Sequence, residues 1–136
     1  MVCLFFDQIL ITNGTRVAGS GTQGSANEQF NWPYGIFVSD NGTIYVADHS
    51  NNRIMKWLAG ASSGIRVAGD GTSGYSLTQV NSPTDVIVDE NEFMYITEAG
   101  STRITRWAPN SSCGTCIVAC SGTTGAAQNQ LNRPHS

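Results

Sequence analysis

The chain has 136 residues, of which 40% are apolar and 12% charged, a composition that excludes an intrinsically disordered segment. Its net charge is −3, with seven lysines and arginines in total. This disfavours nucleic acid as a partner, because phosphate backbones are bound through clustered cations. No apolar stretch approaches the roughly 18–20 residues that cross a bilayer. The apolar N-terminus, "MVCLFFDQILIT", lacks a basic start and a clear cleavage site, so it is predicted to form a β-strand and not a signal peptide.

The sequence repeats with an offset of 50 residues. "GTRVAGSGTQG" at residue 14 aligns with "GIRVAGDGTSG" at residue 64, and "QFNWPYGIFVSD" at residue 29 aligns with "QVNSPTDVIVDE" at residue 79. A third copy begins near "IVACSGTTG" with an offset of 51, because one residue is inserted near Cys113. Internal repeats of this length indicate repeated structural units. The predicted segments are the end of a preceding unit at 1–14, two full units at 15–65 and 66–117, and the start of another at 118–136.

Each full unit is predicted to contain four short strands. In the first unit these are "YGIFVSD", "TIYVAD", "RIMKWL" and "IRVAG", which are rich in β-branched and aromatic residues. The first strand is apolar almost throughout, which predicts burial on both faces. The dipeptide Asn41-Gly42 predicts a tight hairpin turn with positive φ at both central positions. Four strands and a long return loop in about 50 residues indicate the blade of a β-propeller.

The segment from Pro33 to Ile54 carries the pattern P-x-G-I-x-V-x-x-x-G-x-I-Y-V-A-D-x-x-N-x-R-I and resembles the NHL repeat. The second unit keeps the spacing with looser matches, for example Asp85 where the first unit has Gly35. The resemblance implies a six-bladed propeller that serves mostly as a binding platform. The predicted fold class is therefore all-β, with β-propeller blades of the NHL type built as four-stranded antiparallel sheets. About two full blades plus partial ones are predicted, as a fragment of a six-bladed propeller.

Two full blades cannot close a ring, and each blade needs neighbours on both faces of its sheet. Further propeller blades are therefore predicted partners, and the same parent chain is expected to supply them. The alternative is self-association, for example of three copies that together make six blades.

An acid that ends the second strand and an arginine that begins the third recur in both units. The ends of these strands meet across a short loop, which a carboxylate–guanidinium bond can fix. One catalytic site would not need a copy in every blade, so the pair is predicted to be structural. A tryptophan at the end of the third strand also recurs, which predicts packing in the core or between blades. The predicted structural residues are Asp48, Arg53, Glu98, Arg103, Trp57 and Trp107.

Several loop residues do not recur and are candidates for binding. His49 has Ala99 as its counterpart, and Trp32 has Ser82. His49 is either a solvated loop histidine or a ligand or base on the functional face, while Trp32 either anchors a partner or covers the mouth of the propeller. Loops on a rigid scaffold carry function, so we predict a protein or peptide ligand on the loop face. The predicted binding residues are Trp32, His49, Ser50, Asn51, Asn52, Ala99, Gly100, Ser101 and Thr102.

No catalytic residue, metal or cofactor is predicted, and the chain is expected not to be an enzyme. A zinc site needs three or four converging ligands, and the only histidine besides His49 is His135. The Gly-rich segments "GSGTQGS" and "GDGTSGY" lack the Lys-Ser/Thr ending of a phosphate loop. The resemblance implies the alternatives: part of a propeller enzyme, similar to the zinc lyases that act on C-terminal hydroxyglycine or to hydrolases, or the target-recognition part of a ubiquitin ligase. RNA binding, known for some NHL domains, is disfavoured by the few cations.

The cysteines are Cys3, Cys113, Cys116 and Cys120. Cys116 and Cys120 are predicted to lie on one strand, where four residues span about 13 Å, beyond the roughly 4.4–6.8 Å Cα separation of a disulfide. The candidate disulfide is Cys113–Cys116, in the turn before that strand. Cys120 is expected to be a small buried residue or to pair outside this segment.

Three sequons, at Asn13, Asn41 and Asn110, are candidates for N-glycosylation. Their number alone is weak evidence, because a chain this rich in Asn, Ser and Thr contains roughly two sequons by chance. The clustered cysteines and the scarcity of lysine favour an extracellular over a cytoplasmic location, while leaving the compartment open.

Overall fold

The computed structural model of the chain describes residues 3–5, 8–10, 14–121, 131 and 134. Within them the chain forms ten strands and one 3-10 turn at His49–Asn51. The strands are β1 (Cys3–Phe5), β2 (Gln8–Leu10), β3 (Pro33–Val38), β4 (Ile44–Asp48), β5 (Arg53–Trp57), β6 (Ile65–Ala68), β7 (Pro83–Val88), β8 (Met94–Glu98), β9 (Arg103–Trp107) and β10 (Gly114–Val118).

Eight of these strands form two four-stranded antiparallel sheets, called blade 1 and blade 2 below. Consecutive strands lie side by side, in the order β3-β4-β5-β6 in blade 1 and β7-β8-β9-β10 in blade 2. The strands β1 and β2 pair as a separate antiparallel hairpin. The predicted all-β fold of four-stranded blades is confirmed. Among the described residues, no helix is long and apolar enough to cross a membrane.

Half of the partial unit predicted at 1–14 and most of the one predicted at 118–136 lie outside the described residues. Their boundaries therefore stay predictions. The same holds for the sequon at Asn13 and for His135, which also lie outside the described residues.

The two blades pack against each other through one face of each sheet. Successive side chains along a strand point to opposite faces, so every second residue of a strand faces the interface. Each large apolar side chain that is fully buried in this way contributes about 1.5–3 kcal/mol. The interface between the blades buries Tyr45, Ala47, Ile54, Ala68, Val80, Val86, Met94, Ile96 and Trp107. A second cluster on the other face of blade 1 buries Ala18, Phe30, Ile44, Val46, Met55 and Trp57.

Gly35 allows the innermost strands β3 and β7 to approach closely. A Cβ atom built on Gly35 would lie 2.6 Å from Asp85 Cα and 2.7 Å from the Thr84 carbonyl oxygen. Both are backbone atoms that cannot move aside, so any larger residue would push the blades apart. The glycine of the NHL pattern at this position therefore has a packing reason.

The first strand of each blade is not buried on both faces as predicted. Val38 on β3 is 54% exposed and Ile87 on β7 is 56% exposed. Burial of both faces needs a neighbouring sheet on each side, and within the described residues each blade packs against one other blade.

The predicted two-residue turn at Asn41-Gly42 is also wrong in detail. Gly42 has a φ of 80° but Asn41 does not adopt a positive φ. The Gly42 N–H donates to the Ser39 carbonyl at 2.9 Å, and the Ser39 N–H donates to the Thr43 carbonyl at 2.9 Å. This is a three-residue hairpin loop that ends in a left-handed residue.

The predicted Cys113–Cys116 disulfide is wrong. Cys116 is bonded to Cys120, with a Cα separation of 5.7 Å, and Cys113 is an exposed free cysteine. The premise of one continuous strand fails because β10 ends at Val118 and Ala119 adopts a left-handed φ of 56°. The chain reverses at Ala119 and brings the two sulfur atoms together. Cys120, expected to be buried or to pair elsewhere, is exposed and pairs with Cys116.

Candidate binding site on the loop face

The long loops that enter each blade and the short loops between its second and third strands meet at one end of the sheets. We call this end the loop face; it comprises residues 20–32, 49–52, 70–82 and 99–102. In blade 1 the Ser50 N–H donates to the Asn31 carbonyl at 3.0 Å. In blade 2 the Gly100 N–H donates to the Asn81 carbonyl at 3.1 Å. The two kinds of loop are therefore bound to each other in both blades.

A buried ion pair fixes the loop face of blade 1. The Arg53 Nε donates to Asp48 Oδ2 at 2.7 Å, and both side chains are almost fully buried. The remaining guanidinium nitrogens donate to three backbone carbonyls of the entry loop, those of Ser25, Ala26 and Gln29, at 2.7–2.9 Å. One arginine thus ties the strand end, the acid and the long loop together.

The same clamp recurs in blade 2. The Arg103 Nε donates to Glu98 Oε2 at 3.1 Å, and its other nitrogens donate to the carbonyls of Tyr75, Ser76 and Gln79 at 2.8–3.1 Å. Every contacted position lies 50 residues after its counterpart in blade 1. These four charged side chains therefore have their hydrogen-bonding capacity occupied by the loops and are not presented to a ligand.

Neighbouring groups complete the bonding of Asp48. The Asn31 N–H donates to Oδ1 and the Asn51 amide donates to Oδ2, both at 2.8 Å. Burial raises the pKa of Asp48, while the donors from Asn31, Asn51 and Arg53 oppose that rise. A carboxylate surrounded by fixed donors in this way holds the loop and has little freedom to act as a base.

The recurring tryptophans lie away from the loop face, in the cores described above. Trp57 Nε1 donates to the Ala61 carbonyl at 3.0 Å, and Trp107 Nε1 donates to Thr105 Oγ1 at 3.2 Å. Both rings are buried, so neither is presented to a partner.

The structure contradicts part of the predicted binding set, because Ser101 and Thr102 are buried. The Ser101 hydroxyl donates to Glu98 Oε2 at 2.6 Å. Two further members are half-buried and engaged: Asn51 also donates to the Gly24 carbonyl at 2.8 Å, and Asn52 Oδ1 accepts from the Ser82 N–H at 3.0 Å. These polar residues hold loops to blades, and the last contact links blade 1 to blade 2.

The predicted residues that remain accessible are few. Ser50 and Gly100 are exposed, and Ala99 is half-buried beside them in sequence. Trp32 is 50% exposed, with a φ of 52° that places it at a bend before β3. The surface available to a partner is therefore concentrated around Trp32 and the loop that begins at His49.

Tyr34 is a functional candidate that the sequence prediction missed. It is 48% exposed, and its ring lies 4.8 Å from the His49 ring at a tilt of 39°. The available signal was that Tyr34, like Trp32, does not recur: its counterpart is Thr84. The rings of Tyr34 and His49 thus lie together beside the loop face of blade 1, and the exposed Trp32 precedes Tyr34 by two residues. We call Trp32, Tyr34 and His49, none of which recurs in blade 2, the aromatic patch.

His49 is half-buried and held beside Tyr34. Burial lowers the pKa of His49, and the nearby Asp48 carboxylate opposes the effect. Its Nδ1 is buried without a hydrogen-bond partner among the described residues. The ring is therefore neutral near pH 7 and behaves as an aromatic surface more than as a cation.

Among the residues that the structure describes, no group of three His, Cys, Asp or Glu side chains is placed to hold a metal ion. The buried acids are already paired with arginines. Among the predicted binding residues of blade 1, those with exposed side chains are Trp32 and Ser50, and Tyr34 is exposed as well.

Comparisons with known proteins identify the repeat. Residues 30–57 match the family model described as the NHL repeat, and no curated protein matches the chain. Among solved structures, a streptogramin B lyase is similar with 20% identity and a TM-score of 0.45, over 62% of this chain. The chain spans 25% of the length of that structure. Residues 30–57, the segment that matches the NHL repeat, fold as the strands β3, β4 and β5 of blade 1.

Proposed function

We propose that this chain is a non-catalytic pair of NHL propeller blades that binds a protein or peptide through its loop face. The observation that carries the proposal is the aromatic patch. Trp32 and Tyr34 expose about half of their surface, and the His49 ring lies against Tyr34. Aromatic side chains that combine an apolar body with a polar edge are enriched among the residues that dominate binding energy.

The clamps described above support this assignment by their rigidity. Arg53 and Asp48 hold the entry loop that leads to Trp32, so a partner would meet a preformed surface. Binding to a preordered loop avoids the cost of fixing it at the moment of association. The absence of Trp32, Tyr34 and His49 equivalents in blade 2 predicts one such site in the described chain.

The proposal is tested by selecting peptides from a displayed random library on the purified chain. The selected peptides are then measured against Trp32→Ala and Tyr34→Ala. Truncation of an aromatic anchor costs about 2 kcal/mol, so each variant is expected to raise the dissociation constant roughly thirtyfold.

Leu58→Ala is the matched control, because Leu58 is exposed to a similar degree and lies beyond β5 at the opposite end of blade 1. It should leave the dissociation constant unchanged. An unchanged unfolding transition shows that the variants remain folded. Peptides that bind Trp32→Ala and Tyr34→Ala as well as they bind the original chain would rule out the aromatic patch as the site.

A further inference from the structure

The turns opposite the loop face carry two of the three sequons. The antiparallel strands end alternately at the loop face and at the opposite end, which we call the turn face. It comprises the connections at residues 39–43, 58–64, 89–93 and 108–113. Asn41 lies in the first of these connections and Asn110 in the last, so both sequons described by the structure are on the turn face.

Asn41 presents the atom that would carry a glycan. Its side-chain Oδ1 accepts hydrogen bonds from the Ser39 hydroxyl at 2.7 Å and from the Thr43 N–H at 3.0 Å. These two hydrogen bonds fix the plane of the Asn41 side-chain amide and involve its oxygen but not its nitrogen. Among the described residues, Nδ2 has no partner, and Asn41 is exposed. The bond to a sugar can therefore form without the loss of a contact in the fold.

Asn110 occupies the tip of the turn between β9 and β10. The Ser111 N–H donates to the Ala108 carbonyl at 3.2 Å, and Asn110 has a φ of 59°. Pro109 at the second position and a residue with positive φ at the third are the signature of a type II turn. Asn110 and the sequon hydroxyl residue Ser112 are both exposed. No hydrogen bond of the Asn110 side chain occurs within the described residues.

The disulfide supplies an independent observation about the compartment. Cys116 on β10, the second strand of the hairpin that carries Asn110, is bonded to Cys120, two residues beyond the end of that strand. Disulfides persist in the secretory pathway and outside cells and are rare where glutathione keeps thiols reduced. Enzymatic N-glycosylation of Asn-x-Ser/Thr takes place in the same pathway.

We infer that Asn41 and Asn110 are N-glycosylated, in a chain that folds in an oxidising secretory compartment. The donor is a lipid-linked oligosaccharide pyrophosphate. Nδ2 forms a bond to the anomeric carbon of the oligosaccharide, the bond from that carbon to the pyrophosphate oxygen breaks, and the lipid pyrophosphate and one proton are released.

Both glycans would cover the turn face and leave the loop face open. A cleft of about 440 Å³ between the blades opens at the turn face beside Asn41, and it is lined in part by Asp40, Asp89, Glu90 and Glu92. A glycan on Asn41 would stand at the edge of this acidic cleft. The glycosylated and unglycosylated ends of the blades thus differ in which partners can reach them.

The test isolates the protein from the organism that makes it, without reductant. Free thiols are alkylated, and N-glycans are removed by a peptide amidase in heavy-oxygen water. This treatment converts each carrier asparagine to labelled aspartate, which is read by peptide mass spectrometry. We expect full labelling at Asn41 and Asn110, alkylation of Cys113 and an intact Cys116–Cys120 link.

Asn91 is the internal control, because it is exposed in the equivalent turn of blade 2 but is followed by Glu92 and Phe93 and forms no sequon. It should remain unlabelled. In cells that secrete the chain, Ser112→Ala should abolish labelling at Asn110 and spare Asn41. Absence of the label from either Asn41 or Asn110 in the native protein overturns the inference, as does a reduced Cys116–Cys120 pair.

Discussion

Replacement of Arg53 by alanine is predicted to destabilise the fold by about 3 kcal/mol. Arg53 donates four hydrogen bonds, one to Asp48 and three to carbonyls of the entry loop. Removal of one partner of a buried ion pair costs about 3–5 kcal/mol, because the other charge stays buried. The lower end applies here, since Asp48 keeps its bonds from Asn31 and Asn51. A domain of this size has a free energy of unfolding of roughly 5–15 kcal/mol, so the loss of Arg53 would remove a large part of the total stability.

The assay is urea denaturation followed by the fluorescence of the buried tryptophans. Arg103→Ala should cost a similar amount, because the clamp in blade 2 has the same contacts. Arg66→Ala is the control: Arg66 is exposed and donates to the Asp70 carbonyl, so its loss should change stability by no more than about 0.5 kcal/mol. A loss below about 1 kcal/mol for Arg53→Ala would refute the reasoning that the clamp holds the blade together.

Three further changes have defined outcomes. Glu92 adopts a left-handed φ of 63°, and its replacement by glycine should stabilise the fold by about 1 kcal/mol by removing that strain. The same change removes an exposed ion pair with Lys56, which contributes about 0–1 kcal/mol. The melting temperature should therefore rise or stay level, and a fall would contradict this reasoning. Burial lowers the pKa of His49 in the folded chain, so at acidic pH the unfolded chain binds a proton at this histidine more readily than the folded chain does. The free energy of unfolding should therefore fall as the pH drops below 6.5, the ordinary pKa of histidine. Over the same drop in pH, the urea midpoint of His49→Gln should fall less than that of the original chain. Cys116→Ser removes the disulfide that closes a short loop and should lower the free energy of unfolding, measured by urea denaturation, by about 2 kcal/mol. Cys113→Ser should leave it unchanged, and equal losses for the two variants would contradict the Cys116–Cys120 pairing.

The repeat made the fold predictable, because two copies at a fixed offset constrain each other. Strand order, blade number and the proximity of Asp48 to Arg53 all follow from a period that places equivalent residues in equivalent environments. The contacts of Arg53 to the entry loop could not be predicted in the same way. They depend on where a long irregular loop folds back, and no periodic pattern specifies that path.

The predictions fail at single residues whose backbone direction or burial no sequence pattern indicates. The sequence predicts a continuous strand, which keeps Cys116 and Cys120 apart, because alanine does not favour the left-handed φ that Ala119 adopts. The sequence predicts an exposed Ser101 because loops usually lie at the surface, whereas the structure buries Ser101 and its hydroxyl donates to the buried Glu98. Tyr34 is not among the predicted binding residues because it lies within a predicted strand, whereas the structure leaves its side chain 48% exposed.

The most direct test of the account is to map a selected peptide onto the chain by amide and indole chemical shifts in solution. We predict the largest changes at the Trp32 indole and at the amides of Tyr34, His49 and Ser50, with the buried Trp57 indole unchanged. Changes confined to the turn face, around residues 39–43 and 108–113, would contradict a binding function for the loop face.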